Sequence, residues 1–202
     1  MSTLKKKNAH IWERDEYDWY VEPIECSMAL LDYLKIEGLI WDPACGMGNI
    51  ISSCEALGLR AFGSDIVRRN AYCSREVDFL SANNDEKANH IVSNPPFGIS
   101  ENFVRHALTI MPTGSTVSMI LPLVWASGFS TKRRWLPESP LKYLMPISPR
   151  PSMPPGAVIA AGEKPGNGTK DFAWFTWEIG YSGPPHLHFL NTNDYRPKRR
   201  KK

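Results

Sequence analysis

The sequence predicts an α/β fold, a doubly wound and mostly parallel sheet with an antiparallel hairpin near its carboxyl end. Three observations carry this expectation. Short apolar runs alternate with segments of helical period, the pattern of a sheet covered by helices on both faces. Early runs lead through acids and glycine turns into helices, so the strands they form are joined by crossovers. Near the carboxyl end, two extended segments are separated only by a stretch containing Gly180, Gly183 and Pro184.

The elements follow in order. A first helix is expected from Pro23, where Cys26, Leu30, Leu31 and Leu34 recur at three and four residues, with Gly38 as its stop signal. Leu39-Ile40-Trp41 forms a strand running into Asp42. Asn49 to Leu57 reads as a helix closed by Gly58, and Leu59 to Gly63 as a second strand ending at Asp65. Residues 66–78 are expected to hold a helix and then a short strand around Val77. His90 to Ser93 is the fourth strand, because Pro95 and Pro96 forbid its extension. Ser100 is expected to cap a helix through Met111. The run Ser115 to Leu121, after Gly114, is the fifth strand.

Beyond Trp125 the texture changes. Residues 126–170 hold eight of the 17 prolines and five of the 14 glycines without sustained period, so they read as a long loop or irregular insertion. Asp171 to Glu178 is an aromatic-rich strand with Phe172, Trp174 and Thr176 on one face and Ala173, Phe175 and Trp177 on the other, which suits burial on both sides. Pro185 to Leu190 is its expected antiparallel partner at the sheet edge.

A length of 202 residues suits one domain, assigned to 18–195. Residues 1–17 read as a flexible basic arm and 196–202 as a basic tail. Six of the 24 basic residues lie in that tail, which leaves 18 basic against 21 acidic side chains before it; the net charge of +3 therefore belongs to the ends and not to the fold. Such blocks serve as nucleic-acid-binding arms or as plain solubilising ends. With no apolar run long enough to span a bilayer and no apolar signal core at the start, the chain reads as soluble, intracellular and not membrane-bound. Cys26, Cys45, Cys54 and Cys73 form no Cys-x-x-Cys pair and have no histidines at ligand spacing, so reduced thiols and no metal are expected.

Two segments at strand ends carry chemistry. Asp42-Pro43-Ala44-Cys45-Gly46-Met47-Gly48-Asn49 is a strand end, a tight glycine turn and a helix start, placed where ligands bind in doubly wound sheets. It is neither a dinucleotide fingerprint nor a phosphate loop, because Ile51 stands at the third glycine position and no Gly-Lys-Ser/Thr follows. Asp65, 17 residues beyond Gly48, is placed to accept both hydroxyls of a ribose diol. Asp78 can accept from an adenine amino group while Phe79 packs on the ring. At the tips of successive strands these acids outline an adenosine pocket. The second segment, Ser93-Asn94-Pro95-Pro96-Phe97-Gly98, closes the fourth strand.

With both motifs in this order and 45 residues between them, the chain resembles the class I S-adenosylmethionine-dependent amino-methyltransferases, in particular the small adenine-N6 DNA methyltransferases. The resemblance covers roughly residues 18–125 and implies a Rossmann-like methyltransferase sheet with S-adenosyl-L-methionine as cofactor. It implies cofactor contacts from Tyr20, Pro23, Asp42, Pro43, Ala44, Gly46, Gly48, Asp65, Ile66, Asp78 and Phe79, and catalysis by Asn94, Pro95, Pro96 and Phe97. By that analogy the Asn94 side-chain oxygen and the Pro95 carbonyl each accept one hydrogen of the target amine, and Phe97 stacks on the base. The motif around Tyr20-Val21-Glu22-Pro23 departs from the family in carrying Glu22 where threonine is usual.

The bases Lys132, Arg133, Arg134, Lys142 and Arg150 fall in the proline-rich segment and are candidate phosphate contacts, with a solvated loop as the plain alternative. The expected partner is nucleic acid, DNA first. The same tetrapeptide also suits RNA adenine methylation, a related one serves protein-glutamine methylation, and a non-catalytic subunit with this fold stands as a further alternative. If the tail binds phosphates, removing Arg196–Lys202 flattens the salt dependence of DNA affinity, as measured by titrations across a salt series. An unchanged slope leaves the tail as a solubilising end.

Overall fold

A computed structural model describes residues 18–131, 133–163, 166 and 168–196. The expected arm at 1–17, Lys132 and the tail beyond Arg196 lie outside the described residues. The described elements run α1 (Ile24–Leu34), β1 (Leu39–Asp42), α2 (Asn49–Ala56), β2 (Arg60–Asp65), β3 (Cys73–Glu76), β4 (His90–Ser93), α3 (Ser100–Ile110), β5 (Thr116–Pro122), β6 (Leu141–Ser148), α4 (Gly156–Ala160), β7 (Phe172–Glu178), β8 (His186–Leu187) and β9 (Leu190–Asn191). The sheet order is β3-β2-β1-β4-β5-β7-β6-β8, with β9 also on β6. β3, β2, β1, β4 and β5 are mutually parallel, while β7 is antiparallel to both β5 and β6.

Period-two alternation distributes each central strand between two cores. Trp41, Ile91, Val117, Met119, Phe175 and Trp177 face one side with Phe103, Val104 and Ala107 of α3. Ile40, Val92, Ile120, Met145 and Trp174 face the other with Leu30 and Leu31 of α1 and Ile50 of α2. The two-faced reading of Phe172–Glu178 therefore holds. Inside the sheet, Ser118 of β5 and Thr176 of β7 satisfy each other at 2.8 Å. All four cysteines are free and buried.

Several expectations change. No helix fills residues 66–72. Side chains take its backbone partners there: Asp65 accepts the Val67 N–H, Glu76 the Arg68 N–H and Asn70 the Tyr72 N–H. Helix α1 stops at Lys35, which adopts the left-handed conformation (φ 47°), three residues before Gly38. Ser100 lies inside α3 and does not cap it; its hydroxyl donates to the Phe97 carbonyl and accepts from the Trp125 indole.

The stretch 126–170 is no mere loop, since it holds the eight-residue strand β6 and the short helix α4. Pro146 is tolerated within β6 for a geometric reason. The Leu144 and Ser148 carbonyls both accept from the outer side, from His188 and Thr192, so the missing N–H of Pro146 falls on that side, between β8 and β9. The antiparallel partners of β7 are thus β5 and β6, and residues 186–187 lie parallel to β6 without pairing with β7.

Trp174 is fully buried and its indole N–H donates to the Cys26 carbonyl at 3.0 Å, tying β7 to α1. Trp174→Ala is expected to lower unfolding free energy by about 4 kcal/mol through the cavity and the orphaned carbonyl. Denaturant titration measures this; a loss under about 1 kcal/mol contradicts the packing described.

Candidate active site

The carboxyl ends of β1, β2 and β4 and the turn after β3 converge on a cavity of about 560 Å³. Tyr20, Pro43, Ala44, Gly46, Asp65, Ile66, Asp78, Phe79, Asn94 and Pro96 all line it, so two motifs distant in sequence share one space. Pro23, Asp42, Gly48, Pro95 and Phe97 are not among the residues that line it. Pro23 precedes the first turn of α1. Gly48 has φ 80° and a Cβ there would lie 2.2 Å from the Tyr72 ring, so the turn requires glycine. Phe97 stacks on Tyr20 at 5.8 Å and leans on Phe172 at 5.6 Å.

The glycine turn is held by Asp65, whose Oδ2 accepts the Gly46 N–H at 2.8 Å. Its Oδ1 accepts from the Val67 N–H at 3.0 Å and from the Arg69 guanidinium at 2.9 Å. A carboxylate has about four acceptor positions. Asp65 can therefore take both hydroxyls of a diol only if Arg69 turns away. Asp78 lines the cavity while its carboxylate accepts the Leu80 N–H at 3.0 Å. Phe79 is only 2% exposed, with its ring set among Trp41, Phe103 and His106. It is a core residue that also lines the cavity.

Three more residues, Arg69, Trp19 and Glu22, line the cavity, and of these only Arg69 had no place in the sequence reading. Arg69 stacks over the Trp19 ring at 4.4 Å as well as pairing with Asp65. It lies four residues beyond Asp65. Trp19 packs against Gly156, where a Cβ would lie 2.0 Å from the indole. The third is Glu22, the departure from the family motif.

Glu22 is 7% exposed and its Oε2 accepts from Asn94 Nδ2 at 2.8 Å. The same Nδ2 donates to the Tyr20 carbonyl at 2.7 Å. With both amide hydrogens engaged, Asn94 Oδ1 is left buried and accepts no hydrogen bond among the described residues. Burial pushes the Glu22 carboxyl up to about 7, against the lowering effect of hydrogen bonds from its own backbone and from Asn94. Asp42, buried behind the turn, accepts from Ser93 Oγ at 2.8 Å and from the Ala44 N–H at 3.2 Å. Burial, reinforced by the nearby Glu22 charge, raises its carboxyl well above the usual range despite those bonds.

The candidate phosphate contacts are mostly engaged within the fold. Arg133 stacks on Trp125 at 4.3 Å, Lys142 pairs with Glu178 at 2.6 Å and Arg150 pairs with Asp171 at 2.7 Å. Arg134 is exposed. Among the described residues no group of three or more His, Cys, Asp or Glu is placed to hold a metal ion, and no helix is long and apolar enough to cross a membrane.

No protein-family model and no curated protein sequence matches the chain. Solved structures do. The type IIG restriction endonuclease BpuSI superposes with a TM-score of 0.58 at 17% identity, over 80% of this chain and 25% of that one. A protein from Listeria monocytogenes, provisionally described as a class I S-adenosylmethionine-dependent methyltransferase, gives 0.56 at 13% identity over 84% and 64%. The M protein of the type I restriction enzyme EcoKI gives 0.55 at 16% identity over 91% and 50%. The chain thus spans a quarter of the length of BpuSI and half of the EcoKI subunit. It has the Rossmann-like methyltransferase fold.

Ionising buried Glu22 opposes folding. The unfolded carboxyl loses its proton near 4.5 and the folded one near 7, so stability tied to the proton is complete below 4.5 and gone above 7. Glu22→Gln, which keeps the shape without the charge, is expected to match the parent near pH 4 and to be more stable by on the order of 3 kcal/mol at pH 8. Denaturation midpoints at both values measure the difference, and equal stabilities at pH 8 refute the assignment.

Proposed function

We propose that the chain is an S-adenosylmethionine-dependent methyltransferase whose target is the N6 amino group of adenine in DNA. The observation that carries this reading is Asn94, which lines the cavity with Nδ2 engaged twice and Oδ1 unpartnered, at the same cavity as the Gly46 turn and Asp65. A buried acceptor without a donor costs about 1–3 kcal/mol, a penalty that an incoming amino group removes.

The lining residues fit the cofactor. Asp65 and Asp78 offer carboxylates for hydroxyl and amino donors, Ile66 and the ring of Phe79 offer apolar surface, and the turn Pro43–Gly46 brings backbone close to the ligand. When bound, S-adenosylmethionine supplies a methyl group on a sulfonium that is already an activated leaving group. The chain's task is then position and hydrogen bonding, without a strong general base. Asn94 Oδ1 accepts one hydrogen of the target amine and the Pro95 carbonyl the other. The two prolines fix that carbonyl, since each ring locks its own backbone angle. Phe97, braced by Tyr20 and Phe172, offers a ring for the base. A base in duplex DNA reaches such a pocket only by leaving the stack. Arg134 and the basic ends are the remaining candidates for backbone phosphates.

The test is methyl transfer from labelled cofactor to unmethylated duplex DNA, single-stranded DNA, RNA and protein in parallel. Transfer to DNA, mapped to adenine, is expected; transfer only to RNA or to protein glutamine reassigns the substrate. No transfer to any of them with cofactor binding retained favours a non-catalytic subunit. Asn94→Ala is expected to lower the rate by about 100-fold or more with little change in cofactor affinity. Asp65→Ala is expected mainly to weaken cofactor binding. Equal affinity losses by calorimetry for both variants overturn the division of the cavity into two sites.

A further inference from the structure

We infer that Glu22 is the positioning residue of the amine-accepting site: it fixes the Asn94 amide so that Oδ1 stays free for the target amine, and when ionised it strengthens Oδ1 as an acceptor. The inference rests on the methyl-transfer reading for its purpose but not for its geometry.

An asparagine amide can turn over, exchanging its oxygen and nitrogen. At Asn94 it cannot, because Nδ2 faces two acceptors, the Tyr20 carbonyl at 2.7 Å and Glu22 Oε2 at 2.8 Å. The opposite orientation sets Oδ1 against both of them and leaves both amide hydrogens facing the place of the target amine. The Tyr20 carbonyl is backbone; Glu22 is the part of this restraint that a side-chain substitution can remove. Its own place is fixed, since the Glu22 carbonyl accepts from Asn49 Nδ2 of α2 at 2.7 Å. A carboxylate at Nδ2 also polarises the conjugated amide and shifts electron density toward Oδ1. Protonation of Glu22 leaves the orientation possible but removes most of that polarisation.

The charge state of the site then depends on pH near neutrality. The Glu22 carboxyl, held near 7 by burial, is the group concerned. Facing it are the Asp42 carboxyl at the end of β1, itself raised, and the Cys26 thiol on α1, pushed far up by burial with contributions from Glu22 and Glu25. Burial disfavours the charged form of both, and a charge on Glu22 raises both further.

Nuclear magnetic resonance on the ¹⁵N-labelled full chain tests the geometry without substrate. The Asn94 side-chain amide, identified by its loss in Asn94→Ala, is followed from pH 5 to 9. Its resonance is expected to shift with a midpoint near 7 in the parent. It is expected to stand still in Glu22→Gln, and its protons to exchange faster with water in Glu22→Ala. A parent resonance that does not titrate, or the same midpoint surviving in Glu22→Gln, overturns the inference and in the latter case assigns the titration to Asp42. In transfer assays the parent kcat is expected to rise with pH through that range. Glu22→Gln is expected to be flat and about tenfold slower at pH 8, with cofactor affinity kept. An acidic limb retained in Glu22→Gln also overturns it. Should the resonance behave as expected while no substrate accepts a methyl group, the methyl-transfer reading fails and the positioning of Asn94 stands.

Discussion

Burial of both faces of the central strands leaves their ends as the places where a ligand meets backbone and strand-borne side chains, and the carboxyl ends open onto the cavity. Trp41, Ile91 and Val117 are sealed on one side and Ile40, Val92 and Ile120 on the other, so no face of β1, β4 or β5 is open. Parallel strands then deliver Asp42, Asp65 and Asn94 to the same edge of the sheet, and the turn after β3 adds Asp78. Residues that are dozens of positions apart in sequence become neighbours because their strands are parallel and in register. The chemistry of the cavity is in this sense a consequence of the core.

Gathering acids at one edge has an electrostatic consequence. Glu22 and Asp42 are both buried, and a charge on Glu22 raises Asp42 further, while the third acid, Asp65, accepts from the Gly46 N–H, the Val67 N–H and the Arg69 guanidinium. The difference lies in what surrounds them. Asp65 opens toward a turn with free backbone donors and a cation four residues on. Glu22 has its own N–H and the Asn94 amide, too little to offset full desolvation. Asp65 thus braces the glycine turn through its hydrogen bonds, and Glu22, its carboxyl pushed up to about 7 by burial, sits beside the amide it holds.

Much of this arrangement was legible from the residues. Asp42 through Asn49, Asp65 and Asn94 through Phe97 could be placed at strand ends because glycine and proline there leave few alternatives, and the alternation in Phe172–Glu178 fixed a strand buried on both sides. What escaped was structure whose local signal opposed its tertiary context. Strand β6 carries Pro146, which counts against a strand until the gap between β8 and β9 that accommodates it is known. Residues 66–72 have a helix-like texture, yet side-chain acceptors from Asp65, Asn70 and Glu76 hold the backbone otherwise. The pairing of Arg133, Lys142 and Arg150 with Glu101, Glu178 and Asp171 joins residues 21 to 36 positions apart, beyond any local reading of charge. Glu22 was visible only as a misfit in a motif, since its partner lies 72 residues away.

That misfit and the unpartnered oxygen of Asn94 are two sides of one arrangement. A fold selected for stability alone would place an acceptor-poor, apolar residue at position 94, or supply Oδ1 with a donor, because each orphaned acceptor and each buried acid is a penalty. Here the two penalties are adjacent and the contact between them, Nδ2 to Oε2, relieves neither completely. The surrounding core, with Trp174, Trp177 and Phe175 fully buried, is large enough to bear them. Local instability held in place by a robust scaffold is the expected condition of a site that must bind something absent from the folded chain. Oδ1 is the acceptor left without a partner among the described residues, and Glu22 holds the amide that carries it.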